Sequence, residues 1–254
     1  MKLLHITDYD GTLIPEIFDE EMENKKEYAM LHADAYSDFI KQNENIKVIY
    51  CTGRTVDNIA NMIDTLNLPK PDYIIGAVGV EIFDVKNNAM LKEWEDYLKT
   101  SKWDNAKIKE LTKDFEILHE MHQREYRFCF KTDGVSSQDV ENLRKKLFDN
   151  GLEVHTIYSS YYFDIIPLTT NKGKAGVFLA KYLGYPLKNV AISGDSRNDA
   201  DMFKEDFGFK ITPINAETEL LEKVKDVKNF YQSKDKYSFG TIDGLKQFLK
   251  IKQG

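Results

Sequence analysis

Continuous apolar runs alternate with helical patterns in the first third of the chain. The runs at 3–6 and 46–51 are each followed by apolar side chains at helical spacing, at 17–42 and then up to residue 66. Such runs are typical of strands buried on both faces of a parallel sheet. The alternation predicts an α/β fold with a doubly wound parallel sheet between helices.

The same alternation continues at 73–83 and returns after residue 166. Residues 73–77 and 80–83 are predicted to be a strand and its continuation. The later predicted elements are strands at 189–193, 209–212 and 229–231 and helices at 172–183, 216–224 and 239–250. These elements extend the parallel core, which we assign to 1–84 and 167–254.

The segment between these two parts, 85–166, has a different pattern. Its strand candidates alternate apolar and polar side chains, which indicates half-exposed antiparallel strands. The predicted elements are helices at 93–114 and 136–150 and strands at 125–132, 153–158 and 161–166. We therefore predict an inserted α+β cap domain at 85–166.

Three of the predicted core strands end in polar turns that contain glycine. These turns are DYDGT at 8–12, TGR at 52–54 and GDSRND at 194–199. Carboxyl ends of parallel strands meet at one edge of a doubly wound sheet, where ligands bind near the switch point. The recurrence predicts one common site.

Each turn also has a simpler interpretation. The pair Asp10-Gly11 is a strong hairpin signal. Thr52 or Thr55 is a suitable helix cap, and the polar residues of 194–199 are common in loops and caps. In the first turn, Asp8 and Asp10 project the same way if the strand continues through them. Their repulsion would be relieved by a bound cation or a raised pKa.

Composition limits the classes of function. The chain of 254 residues has a net charge of −7, with 42% hydrophobic and 30% charged residues, which argues against a general nucleic-acid binder. No apolar run approaches the length of a membrane span, and Asp8 interrupts any signal-peptide segment. Cys51 and Cys129 have apolar neighbours, which favours buried thiols and a cytoplasmic location.

These turns together resemble the motifs of the haloacid dehalogenase superfamily of phosphatases. They correspond to its first, second and fourth motifs, and NKGKA at 171–175 resembles the third. That motif supplies a lysine, and the resemblance to its K-G-x-A form implies Lys172, with Lys174 as the alternative. The insert resembles the α+β cap of the Cof-like branch.

Within this branch the chain is similar to sucrose-phosphate phosphatases over almost its whole length. The stretches that carry this resemblance lie at 71–73, 78–82, 158–160, 164–167, 215–221 and 240–245. One departure is the aromatic stretch 161–163, where that family usually has a glycine, a basic residue and an acid. A sugar phosphate is therefore implied as the substrate, with sucrose phosphate itself less well matched.

The resemblance implies a role for each motif residue. Asp8 would be the nucleophile that forms an aspartyl-phosphate, and Asp10 the general acid and base. Mg²⁺ would be held by carboxylates and a backbone carbonyl, and the phosphoryl group by hydroxyl, amide and ammonium groups. The implied metal residues are Asp8, Asp10 (through its carbonyl), Asp195 and Asp199, which ligates or orients the lysine; the phosphate-binding residues are Thr52, Gly53, Lys172 and Asn198.

The cap is expected to select the organic part of a small phosphorylated substrate, because the core motifs account for phosphate, metal and water alone. Its candidate residues are Gln123, Arg124, Ser159 and Ser160. We expect no nucleic-acid or membrane partner, and a monomer or small homo-oligomer. Two alternatives stay open: a phosphatase for another metabolite, or a non-catalytic, phospho-accepting module like a response-regulator receiver.

Overall fold

The residues between the two parts of the predicted core form a unit of their own. The computed structural model describes residues 1–16, 22–113, 119–120, 123–132, 135–158 and 162–253. The first unit comprises Met1–Met90 and Lys172–Gly254, and the second comprises Leu91–Asn171. The insert thus begins and ends later than the predicted bounds 85 and 166, because residues 89–90 pair within the first unit and a strand of the second runs to Pro167.

The first unit is built on a sheet whose described strands have the order β12-β11-β10-β1-β2-β3-β4-β5. The first six of these are parallel, which confirms the predicted sheet. The chain moves outward from β1 in one direction and later in the other, so β1 lies at the switch point. The strands are β1 (Leu3–Thr7), β2 (Ile46–Cys51), β3 (Tyr73–Gly76), β4 (Glu81–Asp84), β5 (Ala89–Met90), β10 (Val190–Ser193), β11 (Phe209–Thr212) and β12 (Phe230–Gln232).

Helices cover both faces of this sheet. On one face, side chains of α1, α2 and α9 form a buried apolar cluster with the strands, which includes Tyr36, Ile59 and Phe248. On the other face, α6 approaches β1 so closely that a Cβ on Gly176 would lie 3.4 Å from Ile6 Cδ1. The helices are α1 (Met22–Gln42), α2 (Val56–Thr65), α6 (Lys172–Tyr182), α7 (Ala200–Lys204), α8 (Thr218–Val224) and α9 (Tyr237–Gln253).

One predicted strand continuation is wrong. β4 does not extend β3 but returns antiparallel beside it, after a tight turn at 77–79. Ala77 and Val78 have φ angles of 49° and 54° in this turn, a region that non-glycine residues rarely adopt. Backbone bonds from their amides to Arg54 and Thr52 hold the turn, so a contact remote in sequence decides it.

The second unit contains an antiparallel sheet with the described strand order β6-β7-β9-β8. Phe128, Phe130 and Phe163 lie on the sheet face that packs against Ile108 of α4 and Leu143 of α5. The strands are β6 (His119–Glu120), β7 (Phe128–Lys131), β8 (Val154–Tyr158) and β9 (Tyr162–Pro167), and the helices are α3 (Lys92–Leu98), α4 (Asn105–Thr112) and α5 (Ser137–Asp149).

The helix predicted over 93–114 is interrupted. The structure has two helices, α3 and α4, because the Asp104 side chain accepts from the amide of Lys107 and starts a new helix. The Trp103 indole donates to Glu125 O at 2.9 Å, a remote bond that fixes the break. By contrast, α5 begins as predicted, with a capping box between Ser136 and Asp139.

The two cysteines, Cys51 and Cys129, are buried and free, as predicted. In the described ranges, no helix is long and apolar enough to cross a bilayer.

His5 lies in the centre of β1 and is fully buried. Its Nδ1 is 2.7 Å from Tyr36 Oη, and its Nε2 is 2.8 Å from Ser193 Oγ. Burial lowers the pKa of His5 to about 3. Between pH 6.5 and about 3, the unfolded chain therefore binds a proton at His5 that the folded chain does not bind. The free energy of unfolding falls as the pH falls through this window.

We expect His5→Gln to remove this acid sensitivity. His5 makes the free energy of unfolding fall by up to about 1.4 kcal/mol for each unit that the pH is lowered. The difference between the pH slopes of the two proteins isolates this effect. Urea unfolding between pH 7 and 4 measures both slopes. Parallel curves for His5→Gln and the unaltered chain would contradict the buried neutral histidine.

The second unit contains a buried ion pair between Arg127 and Asp164, with Nε and Oδ1 2.7 Å apart and both side chains less than one-tenth exposed. We expect Arg127→Met to cost about 3–5 kcal/mol of unfolding free energy, since it leaves a buried carboxylate unpaired. The matched control is Lys102→Met in the exposed Lys102–Glu153 pair, for which about 1 kcal/mol or less is expected. Equal shifts in urea unfolding would contradict this prediction.

Candidate active site

Asp8 follows β1 directly, at the carboxyl edge of the sheet. Its amide donates to Ser193 O at 2.9 Å, which continues the pairing of β1 with β10. The side chain is almost completely buried. The parallel pairing also excludes the hairpin interpretation of Asp10-Gly11, since the next strand, β2, runs in the same direction.

Asp195 and Asp199 follow the neighbouring strand β10. Thr12 Oγ1 donates to Asp195 Oδ1 at 2.6 Å, so the first and fourth motifs are joined. This approach requires glycine at position 11, which has a φ of 74° and where a Cβ would lie 2.2 Å from Asp195 Oδ2. Gly194 has the same requirement, because its Cβ would lie 2.6 Å from that of Asp199.

Lys172 is the first residue of α6 and is fully buried. Its Nζ lies 2.6 Å from Asp199 Oδ1, 2.6 Å from Asn198 Oδ1 and 3.2 Å from Asp8 Oδ1. The other oxygen of Asp199 accepts from the amides of Asp195 and Ser196, so this carboxylate both caps a turn and orients the lysine. Lys174, the alternative to Lys172, is half-exposed.

Burial and neighbouring charges shift the pKa values of these groups. Burial, followed by the charge of Asp199, holds the pKa of Asp8 well above its usual range. Burial and the charges of Asp199 and Asp8 do the same to the pKa of Asp195. Burial alone would lower the pKa of Lys172, but Asp199 and Asp8 outweigh it and raise that pKa above its ordinary value.

The carboxylates fit a metal ion. One oxygen from each of Asp8, Asp195 and Asp199 lies within 4.8 Å of the other two, and all three residues are buried. A divalent cation would relieve the repulsion that raises their pKa values, and hard carboxylate oxygens suit such an ion. The carboxylate of Asp10 is outside this group, which leaves its backbone carbonyl as the ligand that the resemblance implies.

Thr52 and Gly53 follow β2 on the other side of β1. Thr52 is buried, and a Cβ built at Gly53 would lie 4.0 Å from Asn198 Nδ2, so the second motif adjoins the fourth. The capping alternative is not supported. Thr55 occupies the N-cap position of α2 without a side-chain bond, and Glu81 Oε2 accepts from the Val56 amide instead.

Asp10 forms a two-pronged ion pair with Arg54. Arg54 Nε donates to Asp10 Oδ2 at 2.7 Å, and its Nη2 donates to Oδ1 at 2.8 Å. Sequence reasoning quoted Arg54 within the second motif but gave it no role. It also missed Asn58, whose Oδ1 accepts from Arg54 Nη1 at 2.8 Å. The signal available was the spacing of four residues between Arg54 and Asn58.

The structure describes two of the four candidate substrate-binding residues in the second unit, Gln123 and Arg124. Both polar atoms of the Gln123 side chain bond the backbone of Cys129, and Arg124 Nη1 donates to Gln123 O. Gln123 therefore has a structural role in its own unit. Ser159 and Ser160 lie outside the described residues.

Known proteins are similar to this chain over most of its length. A family model for sucrose-6F-phosphate phosphohydrolase matches residues 1–249. Sucrose-phosphatase 1 of Nicotiana tabacum is 28% identical over 97% of this chain, which spans 59% of the tobacco protein. The mannosylfructose-phosphate phosphatase of Agrobacterium fabrum is 25% identical over 79% of this chain and 82% of its own length.

A solved structure has the same fold. The sucrose-phosphatase of Synechocystis sp. PCC6803, determined in complex with sucrose and phosphate, superposes with a TM-score of 0.82. The match covers 98% of both chains at 24% identity. This similarity extends through both units of the chain.

Proposed function

The chain belongs to the sucrose-6F-phosphate phosphohydrolase family, and from this premise we propose that it is a magnesium-dependent phosphatase of a phosphorylated sugar. The names of two relatives, sucrose-phosphatase and mannosylfructose-phosphate phosphatase, both specify a sugar phosphate. The chain spans little more than half of the tobacco relative, so the proposal concerns the activity of this segment.

One observation carries the proposal: Lys172 is fully buried between Asp8 and Asp199, where the motifs of β1 and β10 meet. Burying an ammonium beside carboxylates carries a desolvation cost, and clusters of buried charges are typical of functional sites. A phosphate monoester would use both, because its oxygens need positive charge and its phosphorus needs a nucleophile.

In the first step, a carboxylate oxygen of Asp8 attacks the phosphorus atom. The bond between phosphorus and the sugar oxygen breaks, and Asp10 gives that oxygen its proton. The product sugar leaves, and the phosphoryl group stays on Asp8 as a mixed anhydride. Covalent catalysis of this kind divides one difficult displacement into two easier ones.

In the second step, the oxygen of a water molecule attacks the same phosphorus, and Asp10 takes a proton from this water. The bond to Asp8 breaks and inorganic phosphate leaves. In both steps the Lys172 ammonium offsets the charge of the phosphoryl oxygens, and those oxygens accept hydrogen bonds from Thr52, Asn198 and the Gly53 amide. Asp8, Asp195, Asp199 and the Asp10 carbonyl would hold Mg²⁺, whose chemistry when bound would be to add positive charge beside the phosphoryl oxygens.

The choice among sugar phosphates is assigned to the second unit. The motif residues of the first unit recognise groups that every phosphate monoester shares. Discrimination needs groups that bind the organic part, and an unmet hydrogen bond rejects a wrong substrate strongly. Arg124→Ala should therefore change the ranking of substrates, whereas Lys102→Ala, an exposed control in the same unit, should not.

The test is a panel of phosphate monoesters with purified protein and Mg²⁺. It contains sucrose 6-phosphate, mannosylfructose phosphate, hexose phosphates and glycerol phosphate, and released phosphate is measured. We expect turnover that is highest on a sugar phosphate. Transfer of phosphate to Asp8 from a small phosphodonor, without turnover, would instead indicate the phospho-accepting module. Absence of both reactions would contradict any catalytic role.

A further inference from the structure

The contact between Arg54 and Asp10 constrains more than the distance between two charges. Two parallel bonds of 2.7 and 2.8 Å join the edge of the guanidinium to both carboxylate oxygens. A single bond leaves a carboxylate free to rotate, whereas a fork-to-fork contact sets both its direction and its plane. About four-fifths of each side chain is shielded from solvent, so water competes poorly for these bonds.

Arg54 is itself held from several sides. Asn58, in the first turn of α2, accepts from the third guanidinium nitrogen at 2.8 Å. The backbone of Arg54 donates to Thr52 Oγ1 at 3.1 Å and accepts from the Ala77 amide at 2.7 Å. These bonds fix the orientation of Arg54 relative to α2, and Arg54 in turn fixes the orientation of the Asp10 carboxylate.

An arginine at a phosphatase site could instead bind the phosphoryl group. A guanidinium offers an anion two edges that each match two oxygens, Nε–Nη2 and Nη1–Nη2. Here Asp10 accepts from both nitrogens of the first edge, and Asn58 accepts from Nη1 of the second. The guanidinium therefore contributes through Asp10.

We infer that Arg54 is a positioning residue that aims the Asp10 carboxyl at the leaving oxygen, and that Asn58 secures Arg54; this rests on the proposed function. The inference predicts a dependence on the leaving group. A departing sugar alkoxide needs the proton of Asp10, whereas p-nitrophenolate leaves without it.

The experiment compares kcat and KM on the best sugar phosphate and on p-nitrophenyl phosphate. Arg54→Lys keeps the charge and removes the fork. We expect it to lower kcat on the sugar phosphate by about 10²-fold, with KM nearly unchanged, and to cost no more than a few-fold on p-nitrophenyl phosphate. Asn58→Ala should act in the same direction by about tenfold or less, since it removes one hydrogen bond from Arg54. Asn61→Ala, the same change at an exposed site of α2, should have no effect.

A double-mutant cycle tests whether Arg54 acts through Asp10. Once Asp10→Asn has removed the acid, adding Arg54→Lys should cost little more on the sugar phosphate, because the two residues act as a unit. Asn58→Ala provides the same comparison of substrates if Arg54→Lys does not fold.

Equal losses on both substrates, or a loss that appears mainly in KM, would overturn the inference and assign Arg54 to phosphate binding. Unchanged kinetics in Arg54→Lys would overturn it as well. If the unaltered chain hydrolyses no monoester, the proposed function fails, and the positioning role fails with it. Selective loss on the sugar phosphate supports both.

Discussion

Asp8→Asn is expected to abolish turnover, with a loss of about 10⁵-fold or more, which is the scale seen when a nucleophile is removed. The amide is nearly the same size as the carboxylate but cannot form the phosphoanhydride. The variant should fold, because Lys172 keeps Asp199 and Asn198 as partners. It also has one buried negative charge fewer in a cluster that repels itself.

Asp10→Asn should behave differently, with a residual rate about 10²–10⁴-fold below that of the unaltered chain. It removes proton transfer but leaves the nucleophile in place. Phosphate release on a sugar phosphate measures both variants, and acid-quenched protein shows whether phosphate accumulates on Asp8. The matched control is Asp38→Asn, an exposed carboxylate on α1. Near-normal turnover in Asp8→Asn would exclude the covalent route.

Removal of divalent metal is the second change with a large expected effect. After dialysis against a chelator, we expect activity to fall by at least about a thousandfold, since a catalytic cation contributes several kcal/mol. The physical reason is charge. A phosphate dianion must approach three buried carboxylates, two of which already have raised pKa values through burial and repulsion.

Restoring Mg²⁺ should restore turnover, and a binding measurement gives a second readout. The melting temperature should rise with added Mg²⁺, because an ion that binds the folded state stabilises it. Asp195→Asn should reduce that rise, whereas Asp38→Asn should leave it unchanged. Full activity in excess chelator would contradict a metal role for Asp8, Asp195 and Asp199.

The sequence alone was sufficient for the six parallel strands of the first unit and for most of its helices, but not for β4, β5 and α7. The strands β1, β2 and β10 are local apolar runs that end in turns containing glycine, so neighbouring residues carry the information. The strand predicted at 46–51 has those bounds in the structure. Motifs at strand ends could also be placed together, because parallel strands end at one edge of a sheet.

Choices between residues with the same local signal needed the tertiary structure. Lys172 and Lys174 are both lysines at the start of a helix, but positions two apart point about 200° away from each other around the axis. Only the docking of α6 beside β1 decides that Lys172 faces Asp8 and Asp199. The register of one packed helix therefore determines which lysine is buried.

Contacts between distant segments were likewise beyond the sequence. The reversal of β4 depends on bonds from the 77–79 turn to Thr52 and Arg54, and the break between α3 and α4 depends on the bond from Trp103 to Glu125. The pairing of Arg54 with Asp10 joins residues that are 44 positions apart. Local patterns determined which segments are strands and which turns hold polar groups. The tertiary structure decided which of those groups meet, because hydrogen bonds and ion pairs form between neighbours in space.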